Sequence, residues 1–152
     1  MITQAKKKND LSLAILILNA IGTIANTLTG EDEKDKILET LDLYISMDVN
    51  RLSYNNIWIY ELENEIAGLI IAYNSNKIKE LDTPILNHLK SKNMFLKSFD
   101  KECFKDEFYI DTVSVFEKFQ GRGIKKELFV FIEKRQKIWA LKKEISLLKL
   151  MI

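Results

Sequence analysis

The residues whose types and spacing could do chemistry lie between Phe108 and Lys126. An apolar, β-branched stretch from Phe108 to Val115 leads through a short loop into Gln120-Gly121-Arg122-Gly123-Ile124 and then at once into a helical pattern. Glycines one residue apart let the backbone turn sharply and bring its N–H groups close to a ligand. The unpaired N–H groups and dipole of a helix start favour an anion such as phosphate. Arg122, Lys125 and Lys126 put positive charge at the end of the helix where it opposes the dipole, which points to an anion as the expected occupant. The spacing is not the dinucleotide fingerprint, because no third glycine follows three residues later. Nor is it a P-loop, which ends in Gly-Lys-Ser/Thr. On the glycines alone, a plain strand-to-helix turn is an equal reading.

The elements that must position this loop can be read along the chain. Residues 2–5 suit a short strand, and Asp10 to about Leu28 suits one helix, apolar on most sides and ended by Thr29-Gly30. Lys6-Lys7-Lys8 before Leu11–Leu18 resembles the start of a secretory signal, but Asn9 and Asp10 stand where a helix cap belongs, and Asn19, Gly22 and Asn26 interrupt the run. A buried helix is therefore expected. Glu31-Asp32-Glu33 opens a second helix, with Ile37, Leu38, Leu41, Tyr44 and Ile45 on one side. Residues 57–60 and 66–73 read as an antiparallel hairpin around Glu63-Asn64-Glu65. The charged segment 74–106 is too long for a hairpin loop. It reads either as a wall or lid over a site, or as a surface insertion whose helix docks Ile78, Leu81, Ile85 and Leu89. Gly121 to about Lys143 reads as a long helix, and Ile145-Ser146-Leu147-Leu148 as a last strand.

Composition narrows the function classes. The chain has 152 residues, a length that suits a single domain (1–152) with a sizeable core. With 23 Lys plus Arg against 22 Asp plus Glu, the net charge of +1 gives no electrostatic case for nucleic acid or a membrane surface as partner. Cys103 is the single cysteine, so an intrachain disulfide is excluded, and a reducing, cytoplasmic setting is expected. His88 and Cys103 are the only soft ligands, too few for a zinc-type cluster, and no metal is expected; a surface histidine and a half-buried thiol suffice.

The stretch Val113-Ser114-Val115, followed by Gln120-Gly121-Arg122-Gly123-Ile124-Lys125, resembles the signature of GNAT-superfamily N-acetyltransferases. In that signature a strand precedes Gln/Arg-x-x-Gly-x-Gly/Ala at a helix start. The hairpin with Ile66-Ala67-Gly68-Leu69 at its centre and the capped apolar helix from Asp10 are similar to the family's other early elements. The resemblance implies an α/β (α+β) fold, with a mixed sheet carrying helices on both faces, and acetyl-CoA (coenzyme A) as cosubstrate. The cofactor would lie in a cleft where the strands Phe108–Val115 and Ile145–Leu148 splay apart. Main-chain groups of Val113 and Val115 would pair with the pantetheine arm. Gln120, Gly121, Arg122, Gly123, Ile124 and Lys125 would surround the pyrophosphate. Lys125 departs from the pattern, since Gly or Ala usually stands there.

The implied activity is acetyl transfer to a primary amine of a small molecule or peptide, by direct attack on the thioester. Such a reaction needs positioning and a proton acceptor. In a regular strand Glu107, Tyr109 and Asp111 share a face with Val113 and Val115, which makes Asp111 and Glu107 the candidate bases. Their bland alternatives are a carboxylate holding backbone at the splay and a solvated strand start. The family's usual acid, a tyrosine in a helix beyond the last strand, has no counterpart, since no tyrosine follows Tyr109. The chain thus reads as a relative that stops short, either an enzyme of impaired activity or a non-catalytic acyl-CoA-binding module. About five strands are expected, with Ile145–Leu148 at an exposed edge suited to a homodimer. Trp58, Tyr60 and Tyr73 fit either the core or an acceptor pocket.

Overall fold

A computed structural model describes residues 1–8, 10–96 and 108–151. Glu107 and Cys103 fall outside the described residues. Four strands form one antiparallel sheet in sequence order: β1 (Ile2–Gln4), β2 (Ile57–Leu62), β3 (Glu65–Asn74) and β4 (Phe108–Val115). Helices α1 (Ser12–Ile21), α2 (Ile24–Thr29), α3 (Lys34–Ser46) and α4 (Ile78–Ser91) lie between the strands, and α5 (Ile124–Met151) follows β4. The α+β class is as expected. The sheet among the described residues is wholly antiparallel rather than mixed.

Two apolar layers sandwich the sheet. On one side Leu13, Leu16 and Ile17 of α1, Leu41 and Tyr44 of α3, and Ile85 and Leu89 of α4 pack with Ile57, Leu69 and Ile71. On the other, Ile124, Leu128 and Ile132 of α5 pack with Trp58, Ile70, Ala72 and Val115. Full burial of each such aliphatic side chain is worth about 1.5–3 kcal/mol, so both layers hold the sheet firmly. The expected docking of Ile78, Leu81, Ile85 and Leu89 is what buries α4.

The local chemistry explains the boundaries. The cap position of α1 is Leu11 rather than Asp10, and the Asp10 carboxylate, one residue ahead of it, accepts the Ser12 N–H at 2.8 Å. The expected single helix from Asp10 to Leu28 is two, because Gly22, at φ 56°, ends α1 two residues before α2 begins. The β2–β3 turn uses Glu63 and Asn64 at positive φ, the geometry that a tight hairpin requires. Gly68 is required by close approach: a Cβ there would lie 2.7 Å from the Ser114 carbonyl oxygen of β4.

The expected strand Ile145–Leu148 is the main correction, since those residues continue α5, a helix of 28 residues and about 42 Å. No glycine or proline interrupts Ile124–Met151, and Ala140-Leu141-Lys142-Lys143-Glu144 is a run of strong helix formers, so nothing stops propagation. Among the described residues the sheet therefore has four strands rather than five. The splay between two parallel strands, and the strand edge proposed for a homodimer, are both absent among the described residues.

Candidate functional site

Two features build the site on the β4–α5 unit. The first is the loop. A 3-10 turn (Glu117–Phe119) buries Phe119 and delivers Gln120. Gly121 and Gly123 then sit at φ 82° and 78°, in the left-handed region that glycine alone enters freely. A Cβ at either would meet nothing within 4 Å, so these glycines face open space rather than a packed neighbour. The first helical bond runs from the Glu127 N–H to the Gly123 carbonyl at 3.1 Å. That leaves the amides of Ile124, Lys125 and Lys126 without intrahelical acceptors at the positive end of the α5 dipole. Gln120, Gly121, Arg122, Gly123 and Lys125 are exposed, whereas Ile124 is buried and anchors the turn. A cleft of about 200 Å³ opens here, lined in part by Val115, Gln120, Gly121, Gly123 and Lys125. The charges of Arg122, Lys125 and Lys126 and the free amides suit an anion. A larger cleft of about 890 Å³ carries Asp10, Glu61, Glu65 and Glu117 against the single cation Lys118, and those carboxylates disfavour one.

The second feature is the outer edge of β4. The Phe116 N–H donates to the Ala67 carbonyl at 2.9 Å, and Ser114 and Thr112 stand opposite Leu69 and Ile71. By the alternation of an antiparallel ladder, Thr112 and Ser114 turn their main-chain groups to β3, whereas Val113 and Val115 turn theirs outward. Among the described residues no strand pairs with that edge. The Gln120 side-chain amide donates to the outward Val115 carbonyl at 3.1 Å, tying the loop to the strand. An extended chain could add to this edge through Val113.

Asp111 departs from the expected alternation. Ile71 faces Thr112 but Ala72 faces Ile110, so Asp111 is the extra residue of a β-bulge. Ile110, Val113 and Val115 consequently lie on the α5 side, while Tyr109 packs on the other. The shared face of Tyr109, Asp111, Val113 and Val115 therefore does not exist. Asp111 meets the Tyr73 hydroxyl, which donates to Oδ2 at 2.5 Å, and the Thr112 hydroxyl, which donates to Oδ1 at 2.8 Å. Arg51 brings Nη1 to 4.0 Å from Oδ2 and makes a two-pronged pair with Asp82 of α4, its Nη2 donating at 3.0 Å. The side chains of Arg51, Asp82 and Asp111 are 16%, 8% and 15% exposed. Burial opposes the Arg51 charge, yet the Asp82 hydrogen bond and the fields of the two carboxylates outweigh it and hold its pKa above the ordinary value. Burial and then the Asp111 charge push the Tyr73 phenol well above its usual range.

Arg51 owes its place to the loop after α3. Buried Asn50 donates to the Tyr44 carbonyl at 2.8 Å and accepts the Leu52 N–H at 2.7 Å, while the Asn56 amide donates to the Asn50 carbonyl at 3.0 Å. Nothing in the spacing of Arg51 or Asp82 marks them for this role. The three aromatic candidates divide: Trp58 and Tyr73 are buried, with Arg135 stacked over Trp58 at 4.9 Å, and Tyr60 is half-buried. His88 is half-buried: its ring meets Tyr44 edge-on at 5.5 Å, and its Nε2 is buried without a hydrogen-bond partner among the described residues. No group of three or more metal-ligating side chains occurs among the described residues. No described helix is long and apolar enough to cross a membrane.

No family model matches the sequence, and no curated protein matches it either. Solved structures do. The crystal structure of an acetyltransferase superimposes with a TM-score of 0.77 at 25% identity, covering 92% of this chain and 76% of that one. The chain has an acetyltransferase fold. An N-acetyltransferase from Staphylococcus aureus Mu50 superimposes with a TM-score of 0.71 at 26% identity, covering 89% of this chain and 75% of the other. The acetyltransferase likeness agrees with the resemblance to GNAT N-acetyltransferases carried by Val113–Lys125, and it supports acetyl transfer as the general activity.

Proposed function

We propose that this chain transfers the acetyl group of acetyl-CoA to a primary amine of a small molecule or peptide. The observation that carries the proposal is the pairing of an anion-suited loop at 120–125 with an outward-facing edge at Val113 and Val115 on one strand–helix unit. The pyrophosphate of CoA suits the loop amides and cations, and the pantetheine amides suit the strand edge. In the reaction the amine nitrogen attacks the thioester carbonyl carbon, the C–S bond breaks, and CoA leaves as thiolate. The amine gives up a proton, for which Asp111 is the acceptor we favour, with Glu107 the other candidate. A thiol pKa near 8.5 makes the thiolate a fair leaving group, so a protein acid accelerates its departure without being indispensable. A reducing, cytoplasmic setting belongs to the same proposal.

One observation favours a second reading, a non-catalytic acyl-CoA-binding module: the Asp111 carboxylate is already engaged by Tyr73, Thr112 and Arg51. Calorimetric titration with acetyl-CoA, followed by thiol release against a panel of primary amines, separates the readings. Binding with turnover supports the enzyme. Binding without turnover supports the module, and no binding overturns both.

A further inference from the structure

We infer that Tyr73 and Arg51 are positioning residues for Asp111, acting on the reaction only through its carboxylate; the inference rests on the transferase reading with Asp111 as proton acceptor. A bulge residue on an edge strand lacks the ladder bonds that fix its neighbours, so its side chain is aimed by what it touches. Here every described polar contact restricts it. Tyr73, 4% exposed, donates to Oδ2, and Thr112, 5% exposed, donates to Oδ1. Arg51 stands behind Oδ2 at 4.0 Å, itself clamped by Asp82 of α4. A carboxylate has about four acceptor positions, two on each oxygen. Each oxygen accepts one hydrogen bond, but Oδ2 also faces the Arg51 guanidinium at 4.0 Å, whereas Oδ1 has no cation beside it among the described residues and keeps an acceptor position beyond its bond to Thr112. The network thus leaves one oxygen available to an amine N–H or a bridging water and fixes its direction. α1, which also packs on β4, brings no ionisable side chain from Ser12 to Ile21. Oδ1 itself is held by Thr112 of β4, and the rest of the carboxylate is fixed through Oδ2 by β3 and the loop after α3, with α4 behind it.

The test is a double-mutant cycle on the full chain, read in turnover and in thermal unfolding. Tyr73→Phe keeps the buried ring and removes only the hydroxyl. Its expected effect is a kcat lower by roughly tenfold, from lost alignment, with acetyl-CoA affinity within about twofold. In an Asp111→Asn background the same substitution should change kcat little further, because its route of action is gone. Arg51→Lys should retain more turnover than Arg51→Gln. Equal losses from Tyr73→Phe in both backgrounds overturn the inference. So does non-additivity in melting temperature without non-additivity in kcat, which makes the contact purely structural. A wild-type chain that binds acetyl-CoA but acetylates no amine overturns the transferase reading, and the positioning role with it, whereas failure of the cycle in an active chain overturns the positioning role alone.

Discussion

At the scale of single residues, the proposed reaction rests on one carboxylate and two glycines. If Asp111 accepts the amine's proton, Asp111→Asn lowers turnover by roughly a hundredfold or more and leaves acetyl-CoA affinity nearly unchanged in calorimetry. The deficit should narrow at high pH, where the amine arrives deprotonated. A collapse of the melting temperature instead would make Asp111 a structural partner of Arg51. At the loop, Gly123→Glu should strongly weaken CoA binding: its φ of 78° strains any L side chain, and the added carboxylate opposes an anion. Unchanged affinity would remove the loop from the site. The buried phenol of Tyr73 makes a prediction of its own. Burial first, then the Asp111 charge, raise its pKa, so the folded chain holds that proton more tightly than the unfolded chain does. That contribution is complete below the ordinary tyrosine value of about 10 and is lost as pH rises above it. Alkaline melting curves should show the loss, and Tyr73→Phe should lessen it. The glycine loop was legible because glycine, helix start and cations are local signals. Arg51, Asp82 and the Tyr73 hydroxyl were not, because residues 29 to 60 positions away from Asp111 meet only through folding.

At the scale of elements, α5 separates a working half from an exposed one. Leu128 is fully buried against the sheet, while Ile145 is 44% exposed. Leu128→Ala should therefore cost about 2–5 kcal/mol and Ile145→Ala no more than about 0.5 kcal/mol in denaturant titrations. Similar costs would mean that the distal half is packed too. The hairpin, the docking stripe of α4 and the helix stop at Gly30 followed from period and punctuation. Ile145–Leu148 did not, since a short apolar run carries no period that separates strand from helix. Continuity with the preceding helix formers decided it. The bulge at Asp111 also left no trace in the sequence, because alternation assumes a regular ladder and the extra residue exists only through the register against β3.

At the scale of the whole molecule, a ligand that bridges β4 and α5 should stabilise the entire fold. At a hundredfold excess over Kd, acetyl-CoA should contribute about 2.7 kcal/mol. For a chain of this size that raises the melting temperature by roughly 5–10 °C in scanning fluorimetry. No shift at saturating ligand would argue against the site. The sequence by itself determined the α+β class, the strand–loop–helix unit, the anion-suited glycines and the resemblance to N-acetyltransferases, because these rest on period, turn chemistry and short-range spacing. The tertiary structure alone decided which edge of β4 pairs with β3, on which face Asp111 lies, and that Arg51, Tyr73 and Asp82 surround it. Strand register and long-range side-chain contacts arise from packing the whole chain, and no local window of residues contains them.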